Sequence, residues 1–159
     1  MLLEKELKKF LENYENLVIM GIGNELKTDD GLGPYIINYL TPKLKNKNNV
    51  TLINAGSAPE NFTGKIKTLN PTHIILIDAV IMDEKPGFLR LVKKEEIKNM
   101  GISSHNMPLS YLINYLELEK TYKILFIGVQ PADLSLQLGL TSNVKESAEN
   151  LGELILKLL

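Results

Sequence analysis

The chain has 159 residues, 44% of them apolar, so about 70 side chains are available for a core and one domain spanning 1–159 is expected. Lys and Arg number 18 against 19 Asp and Glu, a formal charge of −1, which leaves no basic excess to neutralise a row of phosphates or anionic lipid headgroups; neither nucleic acid nor a membrane is an expected partner. There is no Cys, which removes disulfides, thiolate nucleophiles and thiolate metal sites, so any metal must be held by oxygen and imidazole nitrogen.

In chain order, Leu3, Leu7, Phe10, Leu11 and Tyr14 recur at helical spacing and predict an amphipathic N-terminal helix. LVIMGI, residues 17–22, is a strand that ends in the turn-rich GIGNELKTDDGLGP, where Gly33-Pro34 marks the start of a helix carrying Tyr35, Ile36, Ile37 and Leu40. A polar patch around Lys45 to Asn49 precedes a second strand, VTLINA. The third, HIILIDAV, is solidly apolar, which suits a strand covered on both faces. Phe88 to Val92 is a shorter strand, expected at an edge. Leu109, Leu112, Ile113 and Leu116 predict a helix after HNMP, KILFIGV is the next strand, and Val144, Ala148, Leu151, Ile155 and Leu158 form the stripe of a closing helix. This alternation predicts an α/β fold, a mostly parallel twisted sheet with helices on both faces. The longest apolar runs are far short of the roughly 18 residues that cross a bilayer, and the charged N-terminus lacks a signal-peptide core, so a cytoplasmic protein is expected.

Ligands in such folds bind beyond the carboxyl ends of the strands. Three segments lie there: Gly21 to Asp30, Ala55 to Asn61, and Asp78; His105, in a loop before a helix, can reach the same edge. Gly21, Gly23 and Asn24 follow a strand as a dinucleotide fingerprint would, but the third glycine position holds Leu26 and no acid ends the second strand. The glycines more plainly let backbone approach closely or adopt positive φ.

Asp29 and Asp30 precede a helix start, where an Asp caps or turns the chain. Asp78 ends an apolar strand, and a carboxylate beside a core is costly unless a cation or loop amides satisfy it. His73 lies at the opposite end of its strand, facing solvent or packing where the strand begins. Two carboxylates and the His105 imidazole, if they converge, make an incomplete shell for nickel or zinc with positions left for an incoming ligand. Two other schemes use the same residues. Ser57 pairs with His105 and Asp78, although NAGSAPEN lacks the second glycine of a nucleophile elbow. Alternatively Asp30 and Asp78 share a proton and activate water.

GIGNELKTDDGLGP, the pair GSAPEN and IDA, and SSHNMPLSYLI resemble signature segments of the endopeptidases that mature the large subunit of nickel-iron hydrogenases. The likeness runs from the first strand through GVQPAD at 128–133 and is greatest to the branch serving hydrogen-evolving, formate-hydrogenlyase-type hydrogenases. It implies a single-domain three-layer sandwich. It also implies an enzyme that removes the C-terminal extension of a large-subunit precursor after nickel insertion. Carried over residue by residue, the metal ligands and catalytic residues fall on Asp30, Asp78 and His105. Gly21, Gly23 and Asn24 would line the cleft, with Asn24 donating to peptide carbonyls, and Glu60 and Asn61 would contact the tail. The nickel is expected to come with the precursor, since thiolates outcompete a carboxylate–imidazole set for it; other divalent metals are expected to substitute in vitro. The alternative from another class is a non-catalytic, metal-sensing chaperone of the large subunit.

Overall fold

The computed structural model describes residues 2–100, 103–104 and 107–159, the side chains at 98–100, 103–104 and 107 excepted. Helix α1 is Leu2–Phe10, strand β1 Leu17–Ile22, helix α2 Leu32–Leu44, strand β2 Val50–Gly56, helix α3 Thr63–Leu69 and strand β3 His73–Ala79. Strand β4 is Leu89–Lys93, helix α4 Lys94–Met100, and the two-residue strands β5 and β6 are Ser103–Ser104 and Met107–Pro108. Helix α5 is Leu109–Leu116, strand β7 Lys123–Val129 and helix α6 Ser142–Leu158. Short 3₁₀ turns at Thr28–Gly31 and Pro59–Phe62 lead into α2 and α3.

The main sheet has five strands in the order β2-β1-β3-β7-β4, all parallel except β4, which closes the edge antiparallel to β7. Central β1, β3 and β7 are the apolar runs of the sequence, and helices covering both faces explain why β1 is buried at every position. Alternate side chains divide the core. Leu17, Ile19, Ile75, Ile77, Leu125 and Ile127 pack with α1, α2 and α6. Val18, Met20, Ile74, Leu76, Ile124 and Phe126 face the other way, against α3, α4 and α5. The expected three-layer α/β sandwich is therefore what the chain forms, and among the described residues no helix is long and apolar enough to cross a membrane.

Three details differ from the pattern-based expectation. Helix α1 stops at Phe10, short of the apolar spacing that runs to Tyr14, because Asn13 turns the chain with φ of 61°. Helix α2 runs through Pro42 to Leu44. Helices α3 and α4 were not expected; each is seven residues long and buries a single isoleucine, Ile66 or Ile97, too little for a periodicity to register.

Candidate active site

The carboxyl ends of β1 and β3 are held against the start of α2 by glycine. A Cβ on Gly33 would lie 2.3 Å from the Ile22 carbonyl oxygen and 2.9 Å from that of Ile77, distances no side chain tolerates. The first turn of α2 therefore lies directly on the two strand ends. Gly21 faces it from β1, where a Cβ would meet the Gly33 oxygen at 2.3 Å. Gly23 has φ of 148°, and a Cβ there would sit on the Asp30 carbonyl oxygen. These contacts fix the route of 23–31 across the sheet edge.

That route carries Asp30 across the sheet edge at which β3 bears Asp78. Asp30 lies with its main chain against Gly23, just past Ile22, while Asp78 follows Ile77, which pairs with Gly21 across the β1–β3 ladder. Asp30 is half-buried and its Oδ2 accepts the Asn24 main-chain N–H at 2.8 Å. Asn24 Oδ1 in turn accepts the Leu26 N–H at 2.9 Å, a local turn that sets the angle at which 24–30 leaves the strand. Asp78 is wholly buried, and its Oδ1 accepts the N–H of Ala79 at 2.8 Å.

Asn24 stands beside Asp30 as expected, while Gly21 and Gly23 serve the close packing just described. Glu60 and Asn61 are exposed in the turn after β2, the neighbour of β1, and Gly56 at that strand's end accepts the Gly23 N–H at 2.8 Å. Ser57 is exposed next to it. His105 lies outside the described residues, between β5 and β6 in sequence, and among the described residues no three His, Cys, Asp or Glu side chains form a metal cluster.

Two residues shape the site that residue patterns did not single out for this role. Asp29 is wholly buried, and its Oδ2 accepts the N–H groups of Ala132 at 2.8 Å and Asp133 at 3.0 Å. Its Oδ1 accepts the Thr141 N–H at 2.7 Å, and the Thr141 hydroxyl adds a further bond. Asp29 thus pins both ends of the 132–141 loop to the start of α2, while its neighbour Asp30 faces other partners. The buried Gln130, at the end of β7, accepts the Met82 N–H at 2.6 Å and donates to the Pro131 carbonyl at 3.1 Å, so it shapes the loop that follows Asp78. Its only signal in sequence is its place in GVQPAD, between a strand end and a proline.

His73 is buried where β3 begins, its Nδ1 2.8 Å from the Thr72 hydroxyl oxygen and its ring edge-on to Phe10 and Tyr14. A hollow of about 730 Å³ opens at that same amino end, walled by His73, Lys94, Tyr122 and Lys123. It contains neither Asp30 nor Asp78, and large volume without converging ligands does not make it the reaction centre.

A family model described as hydrogenase maturation protease matches residues 34–158. The chain is 35% identical over 133 residues to the hydrogenase 3 maturation protease of Escherichia coli (strain K12), covering 83% of each. It is 42% identical over 137 residues to a Methanocaldococcus jannaschii protein provisionally named a hydrogenase maturation protease, covering 82% of this chain and 78% of that one. The crystal structure of a [NiFe] hydrogenase maturation protease from Thermococcus kodakarensis KOD1 matches its fold with a TM-score of 0.88, at 28% identity, over 97% of this chain and 98% of that one. By sequence and by fold the chain belongs to the hydrogenase maturation protease family.

Proposed function

We propose that this protein is an endopeptidase that removes the C-terminal extension of a nickel-loaded hydrogenase large-subunit precursor, with Asp30, Asp78 and His105 engaging the precursor's own nickel. Family membership makes it a peptide-bond hydrolase of hydrogenase maturation. The finer reading is supported by the glycine packing that sets the turn bearing Asp30 against the carboxyl ends of β1 and β3, the latter the strand that bears Asp78.

The donor chemistry fits such an ion. Oxygen and imidazole donors suit a borderline divalent metal but bind it less tightly than thiolates do, so an ion already seated on a precursor's thiolates stays with the substrate. The Asn24 N–H donating to Asp30 Oδ2 and the Ala79 N–H donating to Asp78 Oδ1 help orient the two carboxylates, as hydrogen bonds around metal ligands do. A bound divalent ion supplies a docking charge and polarises a carbonyl beside it. The chain's own part is to present the acids, hold the peptide beside Asn24, and take a proton from the attacking water on a carboxylate oxygen. A precursor without nickel lacks the principal docking charge, which orders cleavage after metal insertion.

Intact-mass measurement of the nickel-loaded precursor tests this. The precursor is expected to lose the mass of its C-terminal extension, and Asp30→Asn or His105→Ala to abolish the loss while Ser57→Ala retains it. Tight binding without any mass change would instead make the protein a metal-sensing chaperone. Loss of cleavage in Ser57→Ala alone would install the serine scheme.

A further inference from the structure

Strands β3 and β7 separate immediately beyond Asp78, and a side chain stands in the gap. Their parallel ladder pairs Asp78 with Gly128 and Ala79 with Val129, and its last rung is the Val80 N–H donating to the Val129 carbonyl at 3.0 Å. Continued regularly, the ladder would next join a Pro131 N–H to the Val80 carbonyl and the Met82 N–H to the Pro131 carbonyl. Proline has no N–H to give. The Met82 N–H instead donates to Gln130 Oε1 at 2.6 Å, and Gln130 Nε2 donates to the Pro131 carbonyl at 3.1 Å. A side-chain amide thus stands between two groups that a ladder bond of about 2.9 Å would otherwise join, and the strands part there by its width.

The rest of Gln130 is bound to the same loop. The Glu84 N–H reaches its Oε1 at 3.4 Å, its main-chain N–H donates to the Phe88 carbonyl at 2.8 Å, and its carbonyl accepts the Gly87 N–H at 2.8 Å. The residue is buried, so an apolar replacement would leave the Met82 and Pro131 groups without these partners. Asp78 lies at the root of the loop that Gln130 holds. Its Oδ1 accepts the Ala79 N–H at 2.8 Å, so the tilt of the main chain at 79–80 sets the tilt of the carboxylate. The Val80 rung fixes that tilt from one residue beyond, and the Gln130 amide from three.

We infer that Gln130 is a positioning residue of the peptidase: its amide, inserted between β3 and β7 just past Asp78, holds the two strands apart and sets the angle at which the Asp78 carboxylate is presented. Without the amide, 81–82 either closes on Pro131 or moves off it, and both courses turn the Ala79 peptide that carries the Asp78 bond. A reacting group misplaced by about 1 Å can lose on the order of a hundredfold in rate. The loss falls on the chemical step and spares the binding of the precursor. This inference rests on the protease reading and on the part that reading gives to Asp78.

Steady-state cleavage of nickel-loaded precursor tests this, at a temperature where thermal melting shows every variant folded. Gln130→Met, of similar length but without the amide, is expected to lower kcat about tenfold or more while KM stays within about twofold of the parent. Gln130→Glu keeps an oxygen for the Met82 N–H and is expected to lose less. Ser147→Ala removes the hydroxyl that bonds the Gly87 carbonyl at 2.7 Å, which loosens the far end of the same loop, and is expected to cleave as the parent does. A parent-like kcat in Gln130→Met, or an equal fall in Ser147→Ala, overturns the positioning role and leaves the protease reading intact. Absence of cleavage by the parent protein would instead discard that reading, and this inference with it.

Discussion

Asp29 Oδ1 accepts the main-chain N–H of Thr141 at 2.7 Å, joining positions 112 residues apart, while the adjacent Asp30 is bonded to the Asn24 N–H six residues back. Two neighbouring carboxylates thus have separate tasks. Asp29→Asn places an amide among N–H donors and is expected to cost about 3 kcal/mol, a fall in Tm of roughly 6–12 °C by thermal melting. Asp30→Asn is expected to leave stability within about 1 kcal/mol and to lower kcat/KM for nickel-loaded precursor by roughly a thousandfold or more. Equal losses of stability in both variants would contradict the division.

Gly33→Ala is expected to destabilise by about 2–3 kcal/mol, because every near neighbour of the added methyl is backbone of Ile22 or Ile77 and α2 must lift from the sheet. Urea unfolding measures the loss. Cleavage should fall as well, since the same contact sets the height of Asp30 over the strand ends.

Burial, and then the charge of Lys123, hold the His73 imidazole below the ordinary histidine range. Its folded pKa is depressed, so the unfolded chain takes up the proton first. Stability is full above the unfolded value of about 6.5 and is lost as pH falls from there through the folded value. Urea midpoints measured between pH 7.5 and 5 should decline accordingly, and His73→Phe should flatten that decline. A midpoint that rises on acidification would contradict the assignment.

Much of this architecture is legible in residue order, for identifiable reasons. LVIMGI, HIILIDA and KILFIGV are unbroken apolar runs because helices cover both faces of β1, β3 and β7, and position 78 stands out as an acid where such a run ends. Edge β4 was readable from its shortness. What was not legible depends on distance. Most of the bonds that give Asp29 its task come from main-chain groups at 132, 133 and 141, joined only by the Thr141 hydroxyl, and main-chain groups carry no side-chain signal. The packing of Gly21 against Gly33 likewise requires the helix to be laid on the sheet before either glycine acquires a reason.

In the proposed function, Asp30, Asp78 and His105 engage the precursor's metal. The most direct measurement of this is a side-by-side intact-mass time course of one precursor preparation, half loaded with nickel and half stripped of it, each incubated with the parent protein. Cleavage of the loaded half alone, restored in the stripped half by added nickel, is the expected result; equal cleavage of both halves would contradict it.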